Sequence, residues 1–163
     1  MTAASASAWK PVAVAGGIAI LVSATGALIT SLGPWYYALK RPEWQPPDWL
    51  FGPVWTTIFI LATLAAVLSW QRARTSAQRR RIVLLFALNI AFNLLWSLLF
   101  FRMQRPDLAL YEVPLLWLSI AALMIGLWPL SRVATWVLVP YLAWVSFAAT
   151  LNLAIVRLNA PFT

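Results

Sequence analysis

Three stretches of the chain place aromatic rings and amides four residues apart, the spacing that sets side chains on one face of a helix. The first is Phe51, Trp55 and Phe59. The second is Asn89, Asn93 and Ser97, with Trp96 and Phe100 beside them, and the third is Trp144, Ala148 and Asn152, with Tyr141 a turn earlier. Large rings stack on flat apolar molecules, and amides hydrogen-bond to the few polar groups such molecules carry. Ala148, between a tryptophan and an asparagine, leaves space in front of it. An amide in hydrocarbon needs a partner, so each stripe is expected to face the interior of a bundle. For the second stripe alone, hydrogen bonding between helices and lining of a pocket are equal readings. The three together favour a cavity over a merely packed aromatic core.

Other chemistry is largely excluded. There is no cysteine and no histidine. Thiol chemistry, disulfides, the commonest metal ligand and the best proton-transfer side chain near neutral pH are therefore missing. Only four carboxylates occur, Glu43, Asp48, Asp107 and Glu112. No catalytic residue and no metal ligand is expected among them. Glu112, about one turn into an apolar stretch, is expected to snorkel to the interface or to pair with Arg102 or Arg105.

The elements that carry these stripes are membrane spans. Hydrophobic residues make up 63% of the 163 and charged residues 10%. A bilayer crossing needs roughly 20 apolar residues. The sequence holds five such runs, about Val12–Leu32, Leu50–Trp70, Ile82–Phe101, Leu108–Trp128 and Val133–Val156. They read as one all-α membrane domain over residues 1–163, a five-helix bundle. The first run is too long for a typical signal-peptide core and reads as an uncleaved helix. Its small residues Ala15, Ala19, Ser23, Ala27 and Ser31 form a ridge that would let a neighbouring helix approach closely. Pro53 falls in the first turn of the second run, and Pro114 is expected to kink the fourth. Trp9, Trp70, Trp128 and Trp136 fall near span ends, where aromatic belts form.

Between the first two runs lies Gly33–Asp48, rich in Pro, Trp and Tyr, which is expected to fold against the bundle as a cover. Net charge is +8, and half of the arginines fall between Arg72 and Arg81, read as a basic loop. In so apolar a chain this clustering is a topology signal and a contact for anionic lipid, not a nucleic-acid site. It predicts the N-terminus in the cytoplasm, with the Trp/Pro loop and the C-terminus on the opposite side.

Taken together these segments resemble the tryptophan-rich sensory protein / translocator protein (TspO/MBR) family. The resemblance rests on Trp35-Tyr-Tyr-Ala-Leu-Lys-Arg-Pro-Glu-Trp-Gln-Pro-Pro-Asp-Trp49, on Phe51-Gly-Pro-Val-Trp55, on Asn89-Ile-Ala-Phe-Asn-Leu-Leu-Trp-Ser97 and on Pro140-Tyr-Leu-Ala-Trp-Val-Ser-Phe-Ala148 with Asn152 and Asn159. It implies five transmembrane helices, a homodimer and binding of porphyrins such as protoporphyrin IX, with no cofactor required. By motif, Trp55 and Trp144 match the tryptophans of the porphyrin pocket. Trp35, Tyr36 and Pro46 belong to the loop motif that closes it, Asn93, Trp96 and Ser97 match its third-helix wall, and Ala148 matches a small wall residue. Many members carry glutamine where Asn89 stands. The mammalian cholesterol motif needs a tyrosine, and Leu153–Arg157 has none.

The expected ligand site is therefore Trp35, Tyr36, Pro46, Phe51, Trp55, Phe59, Asn89, Asn93, Trp96, Ser97, Trp144, Ala148 and Asn152. The expected function is a porphyrin-binding membrane receptor, in tetrapyrrole sensing, transport or regulation, in the inner membrane of a bacterium. The alternatives are light-dependent porphyrin breakdown and transport of a lipid or sterol-type ligand. From charge alone, Lys40 or Arg41 is expected to pair with the porphyrin carboxylates at the open end. Besides porphyrin or another flat apolar ligand, the expected partners are membrane lipids and a second copy of the chain.

Overall fold

The computed structural model describes residues 5–162, and every regular element among them is helical. Five segments are long and apolar enough to cross a bilayer: Trp9–Ile29, Asp48–Arg72, Ser76–Arg102, Pro106–Leu127 and Arg132–Asn159. The first lies in α1 (Ser5–Ile29). A one-turn helix, α2 (Pro34–Ala38), sits in the loop that follows. The second span is α3 (Asp48–Arg72). The third is α4 (Ser76–Ser97), extended by a π-helical turn, Leu98–Arg102. The fourth is α5 (Pro106–Leu127), and the fifth joins α6 (Arg132–Trp136) to α7 (Val139–Asn159). At 1.5 Å per residue, a 25-residue helix such as α3 reaches roughly 38 Å, enough to span the hydrocarbon. The chain is an integral membrane protein.

Local chemistry moves several element boundaries. The basic stretch from Arg72 to Arg81 is mostly helix rather than loop. The Thr75 hydroxyl accepts from the Gln78 N–H at 3.2 Å, and the Gln78 side chain accepts from the Thr75 N–H at 3.1 Å. This capping box starts α4 at Ser76, ahead of Ile82, and carries Arg79, Arg80 and Arg81 on its first turns. α3 begins at Asp48, which puts Pro53 in its second turn. Pro140 lacks an N–H for the preceding turn, and the fifth span is interrupted at Val137 and Leu138 just ahead of it. Pro114 is exposed, and α5 runs unbroken through it.

α5 is the central strut. Ala109, Val113, Leu116, Ile120, Leu123 and Leu127 repeat at helical spacing and are buried against α4 and α7. A side chain at Gly126 would meet the end of the Leu85 side chain, which would have to shift to admit it. α1 is peripheral, with Ile20, Leu21 and Leu28 exposed. Its small-residue ridge does turn toward α3 and α4, but cavities remain between them (Ser31 lies beyond the helix end). Trp9, Trp70, Trp128 and Trp136 all stand at the end of the bundle that holds the start of α1. There Arg79 stacks over Trp70 and Arg132 over Trp128, each 5.3 Å from the ring centre.

The capping box is open to test. Thr75→Ala should cost about 1 kcal/mol, read as a lower unfolding midpoint in detergent, and Thr75→Ser should restore it. An unchanged midpoint in Thr75→Ala would mean that α4 needs no cap.

Candidate ligand-binding site

The amides of α4 are tied to two neighbouring helices. The Asn89 side-chain NH2 donates to Ser119 Oγ at 2.8 Å, and the Tyr141 hydroxyl donates to Asn89 Oδ1 at 3.3 Å. Asn93 donates to the Tyr141 oxygen at 3.2 Å. One turn on, Trp96 Nε1 donates to Asn152 Oδ1 at 3.3 Å, and the Asn152 NH2 donates to the Pro106 carbonyl at 2.9 Å. Asn89, Asn93, Tyr141 and Asn152 are buried. The stripes are thus interhelical ties and, at several positions, also the wall of a cavity.

That cavity has a volume of about 670 Å³ and lies under the Trp/Pro loop, between α1, α3, α4 and α7. Phe51, Trp55 and Phe59 supply the α3 side, Asn93, Trp96 and Ser97 the α4 side, and Trp144, Ala148 and Asn152 the α7 side. The rings brace one another: Phe51 meets Trp144 edge-on at 5.6 Å, Trp55 meets Tyr141 edge-on at 6.2 Å, and Trp96 stacks on Phe100 at 5.0 Å. Such bracing holds the ring faces in place before any ligand arrives.

The cover is held by one carboxylate. Asp48, in the first turn of α3, accepts from the Tyr36 hydroxyl at 2.9 Å and from Arg41 Nη1 at 3.3 Å. Gln45 Nε2 donates to the Tyr36 oxygen at 3.2 Å and to Asp48 Oδ1 at 3.4 Å. The helix N-terminus favours a negative charge at Asp48. Burial, followed by the hydrogen bond to Asp48, pushes the Tyr36 phenol above its ordinary pKa, so it stays a donor. At the far edge Asn159 grips the Lys40 backbone, accepting from its N–H and donating to its carbonyl, both at 2.8 Å.

Two polar atoms of the lining residues are buried without a partner, Trp144 Nε1 and Gln45 Oε1. An unmatched buried donor or acceptor costs about 1–3 kcal/mol.

Three expected site residues lie elsewhere. Trp35 packs edge-on against Phe100, behind the wall. Pro46 is half-buried in the cover without lining the cavity. Asn89 lines a different cavity, nearer the start of α1. Lys40 and Arg41 do not line the wall either: Arg41 is bonded to Asp48 and lies over the Tyr36 and Tyr37 rings. Glu112 neither snorkels nor pairs with an arginine. It is buried two turns into α5 with no hydrogen-bond partner for either oxygen, while Arg105 is held by Asp107 at 2.8 and 2.6 Å. Adjacency decides this, since Asp107 stands beside Arg105 in the first turn of the helix.

Sequence reasoning missed other lining residues. Ser23, Gly26, Ala27 and Thr30 form the α1 side, and Gln45 and Asp48 the cover. The small-residue ridge was the signal for the first group. A polar pair inside an aromatic loop was the signal for the second.

Residues 12–158 match the model of the TspO/MBR family. The chain is 42% identical over 149 residues to the tryptophan-rich protein TspO of Chlorobaculum tepidum, covering 88% of this chain and 92% of that one. It is 37% identical over 140 residues to protein CrtK of Rhodobacter capsulatus, covering 83% and 84%. To the human translocator protein it is 32% identical over 126 residues, covering 77% and 75%.

Hydrogen exchange should report the clasp. In Asp48→Ala, exchange of the amides in residues 33–47 should accelerate roughly tenfold or more, because hydrogen bonds to a charged group contribute about 1.5–3 kcal/mol. In the unaltered chain, protection corrected for intrinsic rate should stay flat from about pH 7 to about pH 9, below the ordinary tyrosine pKa of about 10. Protection that falls within that window would show the phenol ionising and the clasp opening.

Proposed function

The chain belongs to the TspO/MBR family, with a sensory or transport role at a membrane, and from that premise we propose that it is a receptor or carrier for porphyrins. The ligand is a free porphyrin such as protoporphyrin IX, held in the loop-side cavity. The observation that carries this reading is the cavity itself, about 670 Å³ walled by Trp55, Trp96 and Trp144 and left open by Ala148. Its volume lies within the range of roughly 300–1,000 Å³ usual for small-molecule sites.

The chemistry supports a flat, mostly apolar ligand. Ring faces on three helices offer stacking, and Ala148 leaves room for the macrocycle. With no histidine or cysteine in the chain, the usual axial ligands of haem iron are missing, which favours the metal-free macrocycle. Tyr36 and Gln45, held on Asp48, then close the site from above. In the orientation that the cation distribution favours, this cover lies on the side opposite the cytoplasm.

Protoporphyrin IX titrated into the detergent-purified protein should quench tryptophan fluorescence along a saturable, single-site curve. Ala148→Leu fills the space before the wall and should weaken binding at least tenfold, or about 1.4 kcal/mol. Trp144→Phe, which removes the indole N–H and part of the ring, should weaken it several-fold. Quenching that never saturates, or that neither variant alters, would mean partitioning into detergent and would remove the porphyrin assignment.

A further inference from the structure

A second cavity, of about 640 Å³, lies between α1, α3 and α4 in the half of the bundle away from the Trp/Pro loop. It meets the loop-side cavity only at Phe59 and Asn93, which line both. Its origin is the α1 ridge: Ala15 and Ala19 face Ala62, Ala66 and Phe86, and the small side chains leave a slot. The lining stretch of α1 runs from Lys10 to Val22, roughly 18 Å of helix rise. That is close to one leaflet of a hydrocarbon core of about 30 Å.

The slot is amphipathic along its length. Lys10 and Arg79 stand at its outer end, with Arg79 stacked over Trp70. At the inner end Asn89 and Tyr141 are already bonded to each other and to Ser119 and Asn93. Between the two ends the wall is nearly all hydrocarbon. The slot also opens sideways: Val14 and Ile18 on α1 and Val83 on α4 are 61%, 46% and 54% exposed.

We propose that this slot binds one acyl chain of an anionic phospholipid from the leaflet on the N-terminal side, with its phosphate drawn to Lys10 and Arg79. The sideways opening lets the second chain remain in the bilayer. The surrounding cations, from Arg72 to Arg81, concentrate anionic headgroups at that surface. A cation pair at the mouth of an apolar slot selects against zwitterionic lipid. The site is separate from the porphyrin reading and does not depend on it.

Native mass spectrometry of the detergent-solubilised full chain, with added phosphatidylglycerol or phosphatidylcholine, tests the assignment. The unaltered protein should retain phosphatidylglycerol at least tenfold more than phosphatidylcholine. The Lys10→Ala/Arg79→Ala pair should bring the two lipids to near equality. Ala19→Phe, which fills the slot, should lose the lipid, and Ala15→Leu serves the same purpose should that variant misfold. Ala27→Phe, on the same helix but facing the loop-side cavity, should keep it. The proposal is overturned by retention of phosphatidylglycerol in both slot-filling variants, or by equal retention of the two lipids in the unaltered chain. It is equally overturned if free oleate occupies the slot in preference to phosphatidylglycerol, or if a second copy of the chain covers it.

Discussion

An amide in hydrocarbon has no water to turn to, and the whole bundle is arranged around that constraint. Asn89, Asn93 and Asn152 find their partners on other helices, in Ser119, Tyr141, Trp96 and the Pro106 carbonyl. These bonds join α4, α5 and α7 into a frame. Lipid tails are as apolar as leucine, so no hydrophobic force drives helices together inside the bilayer, and packing and polar ties decide which helices hold fast. α1 carries no amide and presents alanine, serine and glycine to the frame. It sits at the edge of the bundle, and the space between it and the frame becomes two cavities.

Charge is used differently at the two ends. On the loop side, Arg41 is matched by Asp48 and Arg105 by Asp107. Those pairs shape the cover and the start of α5. At the other end the arginines of α4 and α6 have no carboxylate within salt-bridge distance among the described residues, and two of them lie on tryptophans instead. The loop end holds both ion pairs found among the described residues, and the other end holds the two arginines that lie on tryptophans.

Much of this was legible in the sequence because hydrocarbon imposes simple rules. Twenty-residue apolar runs marked the spans, and four-residue spacing put Trp55, Trp96, Trp144 and Ala148 toward one interior. Periodicity could not say how far along the bundle each stripe reached. Asn89 shares a face with Asn93 but stands one turn lower, so it falls in the other cavity. Trp35 lies in the one-turn α2 and Pro46 in the loop after it, segments too short for a period to fix direction, and neither lines the cavity. The capping box overrode the reading of Arg72–Arg81 as loop because a local bond outweighs the presence of charge. Glu112 was misplaced because a carboxylate so near a helix start is expected to reach the interface, and here α5 is buried on the face that carries it.

Both cavities open to the outside of the bundle, and what holds their walls apart differs between them. What prevents closure on the loop side is the bracing of Trp55, Trp96 and Trp144 against Tyr141, Phe100 and Phe51. On the other side it is the frame, already satisfied without α1. The walls differ accordingly: aromatic rings under the cover, hydrocarbon with cations at the mouth beneath.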